Sequence, residues 1–153
     1  NESLKRNQDV ELHYRISKSG YKFITHPDMK AKYYVRTSLR GLIKKAFGDG
    51  FWIAFMPKFS FRHRIPFLFV LYLLSVPLFV FFMSKMGLNR SLVFIYSTPL
   101  LCYVILSFYF SLKDGTSYRK FLLPVFYLIF HISYGIGTLK GISDKYLLKR
   151  TKT

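Results

Sequence analysis

Three apolar stretches, residues 65–83, 92–112 and 121–139, fill most of the second half of the chain. Each has about the 20 residues that a helix needs to cross roughly 30 Å of hydrocarbon. The first two contain no Asp, Glu, Lys or Arg. A water-soluble helix of that length would carry a polar stripe. The chain therefore reads as a multi-pass membrane protein, and its chemistry must come from the polar segment before the spans.

Charge follows the same division. The 153 residues carry 24 Lys and Arg against 7 Asp and Glu, a net charge of +17. Arg36, Arg40, Lys44, Lys45, Lys58, Arg62 and Arg64 crowd just ahead of the first span. Juxtamembrane cations mark the cytoplasmic face and attract anionic headgroups, at about 1 kcal/mol each. The partner implied is a membrane surface rather than nucleic acid, and a basic pocket for a phosphorylated substrate is compatible with it. Cys102 stands alone in the second span, which excludes an intrachain disulfide and reads as packing. Residues 1–18 lack the apolar core of a signal peptide, and the initial Asn suggests a sequence that begins mid-protein.

The charge bias places the N-terminal segment in the cytoplasm of a cell-membrane protein. Three full crossings would then leave Lys140, Lys145, Lys149, Arg150 and Lys152 outside, against the positive-inside rule. The third stretch, with His131, Ser133, Tyr134, Gly135 and Gly137, is open between a crossing and a segment that re-enters or packs on a partner.

Ahead of the spans, residues 9–19 predict a helix, with Val10, Leu12, His13 and Ile16 on its apolar side. Asn7 or Asp9 would be its N-cap and Gly20 its stop. Residues 21–25 and 32–35 read as short strands around a His26-Pro27-Asp28 turn. Thr37 or Ser38 would cap a second helix whose apolar stripe is Leu39, Leu42, Ile43, Ala46, Phe47, Gly50, Phe51 and Ala54. Pro57 would end it. A basic helix with Phe47, Phe51 and Trp52 next to a span fits one lying in the membrane interface. Pro77, Pro99 and Pro124 are expected to kink the spans.

Asp9 sits at a helix start, where the dipole favours its ionised form. Such a carboxylate is a cap in many helices, and it is also able to take a proton from an attacking hydroxyl. Glu11, two residues on, points to another side of the helix. His13 reads as helix surface or packing, His26 as a turn residue, and His131 as a hydrogen-bonding group between helices or a functional one.

The pattern Asn7-Gln8-Asp9-Val10-Glu11-Leu12-x-x-Arg15-Ile16, followed by Lys18-x-Gly20-Tyr21-Lys22 and Pro27-Asp28, resembles the end of the catalytic domain in membrane-bound family 2 glycosyltransferases, the succinoglycan-biosynthesis type in particular. Arg36-Thr37-Ser38-Leu39-x-x-Leu42-x-Lys44 with Gly50-Phe51-Trp52 resembles the interfacial helix of those enzymes. His131-x-x-Tyr134-Gly135-x-Gly137-x-x-Lys140-Gly141 resembles their terminal pattern. Gln8 stands where Glu is commoner, Lys45 where Gln is frequent, and Asp49 where an aromatic is frequent.

The resemblance implies a mainly α membrane protein in three parts. Residues 1–36 would be the C-terminal remnant of a GT-A α/β domain, with one helix and two short strands. Residues 37–61 would be an amphipathic interfacial helix and linker, and residues 62–153 about three transmembrane helices with a basic tail. It also implies an inverting enzyme that moves a sugar from a nucleotide-sugar donor to a lipid-linked or polysaccharide acceptor. Asp9 would be the general base, with Gln8, Arg15, Arg36, Arg40, Lys44, Lys45 and Trp52 on the substrate side. The cations among these would meet either the acceptor's diphosphate or lipid headgroups. A divalent cation, Mg or Mn, is expected on an Asp-x-Asp motif, which this chain lacks. The donor half would therefore lie elsewhere, and the piece would be inactive alone. A homodimer through the spans is left open, and the alternative is a non-enzymatic or transporter-like membrane subunit whose basic segment docks a partner.

Overall fold

The computed structural model describes residues 4–32, 34, 37–57, 60–86, 90–114 and 117–147. Its elements are α1 (Gln8–Lys18), α2 (Leu39–Ile53), α3 (Phe61–Met86), α4 (Arg90–Asp114) and α5 (Leu123–Tyr146). A turn of 3-10 helix, Tyr118–Leu122, leads into α5. Three helical segments, Phe61–Lys85, Ser91–Lys113 and Tyr118–Tyr146, are long and apolar enough to cross a membrane.

No strand occurs among the described residues, which overturns the expected two-strand GT-A remnant. Residues 21–32 run exposed without regular structure, and of the second expected strand Tyr33 and Val35 lie outside the described residues. The alternation of residues 21–25 suits a pleat, but a strand needs a neighbour for its N–H and C=O groups, and the described residues offer none. The intervening turn does form, with the Met29 N–H donating to the His26 carbonyl at 3.0 Å.

α1 begins at Asn7 in the left-handed region (φ 60°), and its carbonyl accepts from the Glu11 N–H at 3.0 Å. It ends as Gly20 predicts. With φ +85°, Gly20 donates to the Ser17 carbonyl at 3.1 Å, and Tyr21 donates to the Ile16 carbonyl at 3.3 Å. That pair of bonds is the Schellman arrangement, which satisfies the last carbonyls of the helix. α2 is capped by Ser38, whose Oγ accepts from the Gly41 N–H at 3.1 Å.

The buried side of α2 overlaps the predicted stripe only in part, at Ala46 and Gly50. Ala46, Gly50 and Ile53 are buried, whereas Leu39, Ile43 and Phe47 are 48%, 40% and 37% exposed. The reason is the partner: α2 packs on the second half of α5 through small residues. A Cβ on Gly50 would overlap the Tyr134 carbonyl, one on Gly137 the Phe47 carbonyl, and one on Gly141 the Phe51 carbonyl. The two helices run in the same direction with their backbones in contact, the packing that small residues permit between membrane helices. Thr138 is fully buried in this seam and satisfies its hydroxyl on the Tyr134 carbonyl at 3.0 Å. At the end of the seam, Lys145 Nζ donates to the Ala54 carbonyl at 2.9 Å, a cation on the C-terminus of α2.

α3 and α4 form an antiparallel hairpin joined by aromatic and hydroxyl contacts. Phe79 stacks on Tyr96 at 3.8 Å and Phe69 on Tyr103 at 4.5 Å, while Ser75 Oγ and the Tyr96 hydroxyl lie 2.6 Å apart. Cys102, expected to pack, is exposed on α4. Pro77 and Pro99 lie inside helices, but Pro124 sits in the first turn of α5, where its missing N–H costs nothing. α5 meets the first turns of α3: the Tyr134 hydroxyl lies 2.9 Å from His63 Nδ1, and a Cβ on Gly135 would strike Pro66 and Val70. The third apolar stretch thus packs on α2 and on the entry to the hairpin.

Candidate active site

α1 is held in place by Asp49 of α2. Arg6 Nη1 reaches Asp49 Oδ1 at 3.1 Å, Lys45 Nζ reaches Oδ2 at 2.6 Å, and Asn7 Nδ2 donates to the Asp49 carbonyl at 3.0 Å. Just before them, Leu4 is buried in a cluster with Ala46, Ile53, Met56 and Tyr134. The first turn of α1 is therefore pinned to the α2–α5 seam by one carboxylate and one leucine.

The two acids of α1 differ sharply in surroundings. Glu11 is 3% exposed and pairs with Arg15 at 2.9 Å. Asp9, in the first turn of the same helix, is exposed and has no hydrogen bond or ion pair among the described residues. Positioned where the helix dipole favours its charge, it is a carboxylate that no described residue engages.

The other expected site residues fall in several places. The Gln8 amide turns back onto the Leu4 carbonyl. Arg15 holds Glu11 rather than Asp9. Arg40 and Lys44 are exposed on α2 without an ion-pair partner among the described residues, whereas Lys45 is engaged by Asp49. Trp52 is half-buried against the core cluster, with Phe51 and Phe55 beside it at 5.3 and 5.5 Å. Arg36 lies outside the described residues. Asp9 and Arg15 share one helix; Arg40 and Lys44 lie on the next.

Between α1 and the α2–α3 connection lies a cleft of about 620 Å³. His13, Tyr14 and Ser17 line its α1 side; Ser60, Arg62 and His63 line the other. The sequence reads His13 as helix surface or packing and Arg62 as one of the juxtamembrane cations; both are exposed on the cleft. His13 lies one helical turn after Asp9 on α1. His26 accepts from the Asp28 N–H at 3.3 Å, as its turn position suggests. His131 bonds the Tyr103 hydroxyl on the neighbouring helix at 3.2 Å. Among the described residues, no three His, Cys, Asp or Glu side chains come together to hold a metal ion.

No family model and no solved structure matches the chain. Over 144 residues it is 31% identical to the dolichyl N-acetyl-alpha-D-glucosaminyl phosphate 3-beta-D-2,3-diacetamido-2,3-dideoxy-beta-D-glucuronosyltransferase of Methanococcus voltae, a match covering 89% of this chain. The chain spans 40% of that relative's length. It is thus a membrane protein homologous to a glycosyltransferase.

Proposed function

We propose that this chain is the acceptor-side and membrane part of an inverting glycosyltransferase of the family 2, succinoglycan-biosynthesis-like type. It works at the cytoplasmic face, moving a sugar from a nucleotide-sugar to a polyprenyl-phosphate-linked acceptor. The observation that carries the reading is the exposed carboxylate of Asp9, without a partner among the described residues, beside the buried, paired Glu11. The relative's action on a dolichyl-phosphate-linked sugar supports the acceptor class. The exposed Leu39, Ile43 and Phe47 on α2 support its placement in the interface, with Arg40 and Lys44 toward headgroups.

In this reading Asp9 takes the proton of the acceptor hydroxyl as its oxygen bonds to the anomeric carbon of the donor. The bond from that carbon to the diphosphate breaks with inversion, and the nucleoside diphosphate leaves. A divalent cation would neutralise the departing diphosphate. In this reading its ligands would lie in the donor-binding lobe. The exposed Tyr21, Ile24, Met29 and Tyr34, between 71% and 89% accessible, offer that lobe an apolar surface to cover.

The test is sugar transfer in membranes holding the protein together with its donor-binding lobe. Asp9→Asn should abolish transfer while insertion and abundance stay at the wild-type level; transfer near the wild-type rate would reject the assignment.

A further inference from the structure

We infer that the acceptor lipid has a two-part seat on the first turns of α3: its phosphate in the cleft against Arg62 and His13, and its polyprenyl chain in the cavity beneath Ile65. This rests on the reading of the protein as a transferase for lipid-linked acceptors.

Arg62 is the one Lys or Arg among the described residues that line the cleft. Among the described residues, Arg6, Arg15, Lys45 and Lys140 each have a carboxylate within 2.6 to 3.1 Å. Arg62 has none, and it lines the 620 Å³ cleft from the α3 side with His13 facing it from α1. A guanidinium presents paired N–H donors that match a phosphate, and the Ser60 and Ser17 hydroxyls add neutral donors around the same space.

A second cavity, of about 470 Å³, lies between α3, α4 and α5. Ile65, Leu106 and Phe110 give it hydrocarbon walls. Four of its lining residues are polar: Tyr103 and His131 are turned on each other at 3.2 Å, His131 also bonds the Tyr127 carbonyl at 2.8 Å, Ser107 Oγ donates to the Val104 carbonyl at 2.8 Å, and Tyr127 is the fourth. Ile65 follows Arg62 by three residues, so the two share a face of α3 about 4.5 Å apart along the axis. That spacing suits a lipid whose phosphate is bonded directly to its chain. A phospholipid would have to fit a glycerol backbone and two acyl chains between the cation and the cavity.

The other end of the ligand also fits. Asp9 lies one helical turn before His13, with Cβ atoms about 5–6 Å apart at that spacing. A phosphate held at His13 and Arg62 would leave its attached sugar reaching toward Asp9. The seat thus orders chain, phosphate, sugar and base along one line from membrane to α1.

Binding of a photoreactive polyprenyl phosphate to the full chain in zwitterionic nanodiscs tests the seat. Arg62→Gln, and Leu106→Trp filling the cavity from a position 54% exposed, should each weaken binding about tenfold or more. Unlabelled polyprenyl phosphate should compete, whereas inorganic phosphate, phosphatidylglycerol and the unphosphorylated polyprenol should not. Wild-type affinity in Arg62→Gln, or equal competition by phosphatidylglycerol, would overturn the proposal, the second outcome marking a general headgroup site. Asp9→Asn should bind normally. If Asp9→Asn stops transfer while Arg62→Gln and Leu106→Trp bind as wild type, the seat is wrong and the transferase reading stands. If wild type does not bind the lipid and Asp9→Asn transfers normally, both fall.

Discussion

The α2–α5 seam and the cleft beside α1 meet at Ile53 and Met56, which belong to the core cluster and also line the cleft. They are built in opposite ways. In the seam, glycines bring backbone against backbone, and Ala46 and Thr138 are fully buried. In the cleft and on the turn above it, Arg62, His13 and Asp9 are exposed, with no ion pair among the described residues. The seam spends small residues on rigidity, and the cleft leaves charge available beside that fixed wall. Asp49 connects them, since it ties the start of α1 to α2.

The seam should be the harder region to alter. Gly137→Leu places a side chain against the Phe47 carbonyl, which no rotamer change relieves because the obstacle is backbone. The loss should exceed the ~1–3 kcal/mol of ordinary overpacking. It would be read as a collapse of thermal stability in detergent with membrane insertion retained. A variant as stable as wild type would show that α2 and α5 do not rest on each other this closely.

Asp49→Ala should come next, at about 1–3 kcal/mol, because it strips a partly buried carboxylate from both Arg6 and Lys45. The effect should be local: faster amide exchange in α1, with the seam still protected. Uniform loss of protection would mean that Asp49 belongs to the seam and does not serve as a tether. Gly20→Ala separates conformational from steric demand. Nothing lies within 4 Å of its Cβ position, so the change should cost only the ~1–2 kcal/mol of a left-handed residue.

How much of this was readable depended on whether the signal was local. The spans follow from the length and hydropathy of the runs themselves, and the α1 stop at Gly20, the Ser38 cap and the turn after His26 from bonds within a few residues. The phase of the α2 stripe did not, because a helix that is apolar on more than one side lets its partner choose which side is buried. Gly135, Gly137 and Gly141 stood out as a pattern, but only the fold shows that the first faces α3 and the others α2. The expected strands failed for a related reason, since alternation describes a strand without supplying its neighbour. At the site, Asp9 was visible from its place at a helix start. Asp49 looked like a departure from a familiar pattern, and its use as an anchor depends on Arg6 and Asn7, some forty residues away.

The smallest expected change in stability belongs to the residue with the largest proposed effect on chemistry. Asp9→Asn removes a charge that touches nothing among the described residues, so its stability should stay within about 0.5 kcal/mol of wild type. Glu11→Gln, two residues away, weakens a buried pair with Arg15 and should cost more, on the order of 1 kcal/mol or above. Paired melting curves and transfer assays on the two variants sharpen the contrast between scaffold and cleft. If Asp9→Asn melts like wild type without transferring sugar, while Glu11→Gln melts early but transfers in proportion to its folded fraction, the two acids divide structure from chemistry. The reverse result would place the working carboxylate on the buried side of α1, where Arg15 already occupies it.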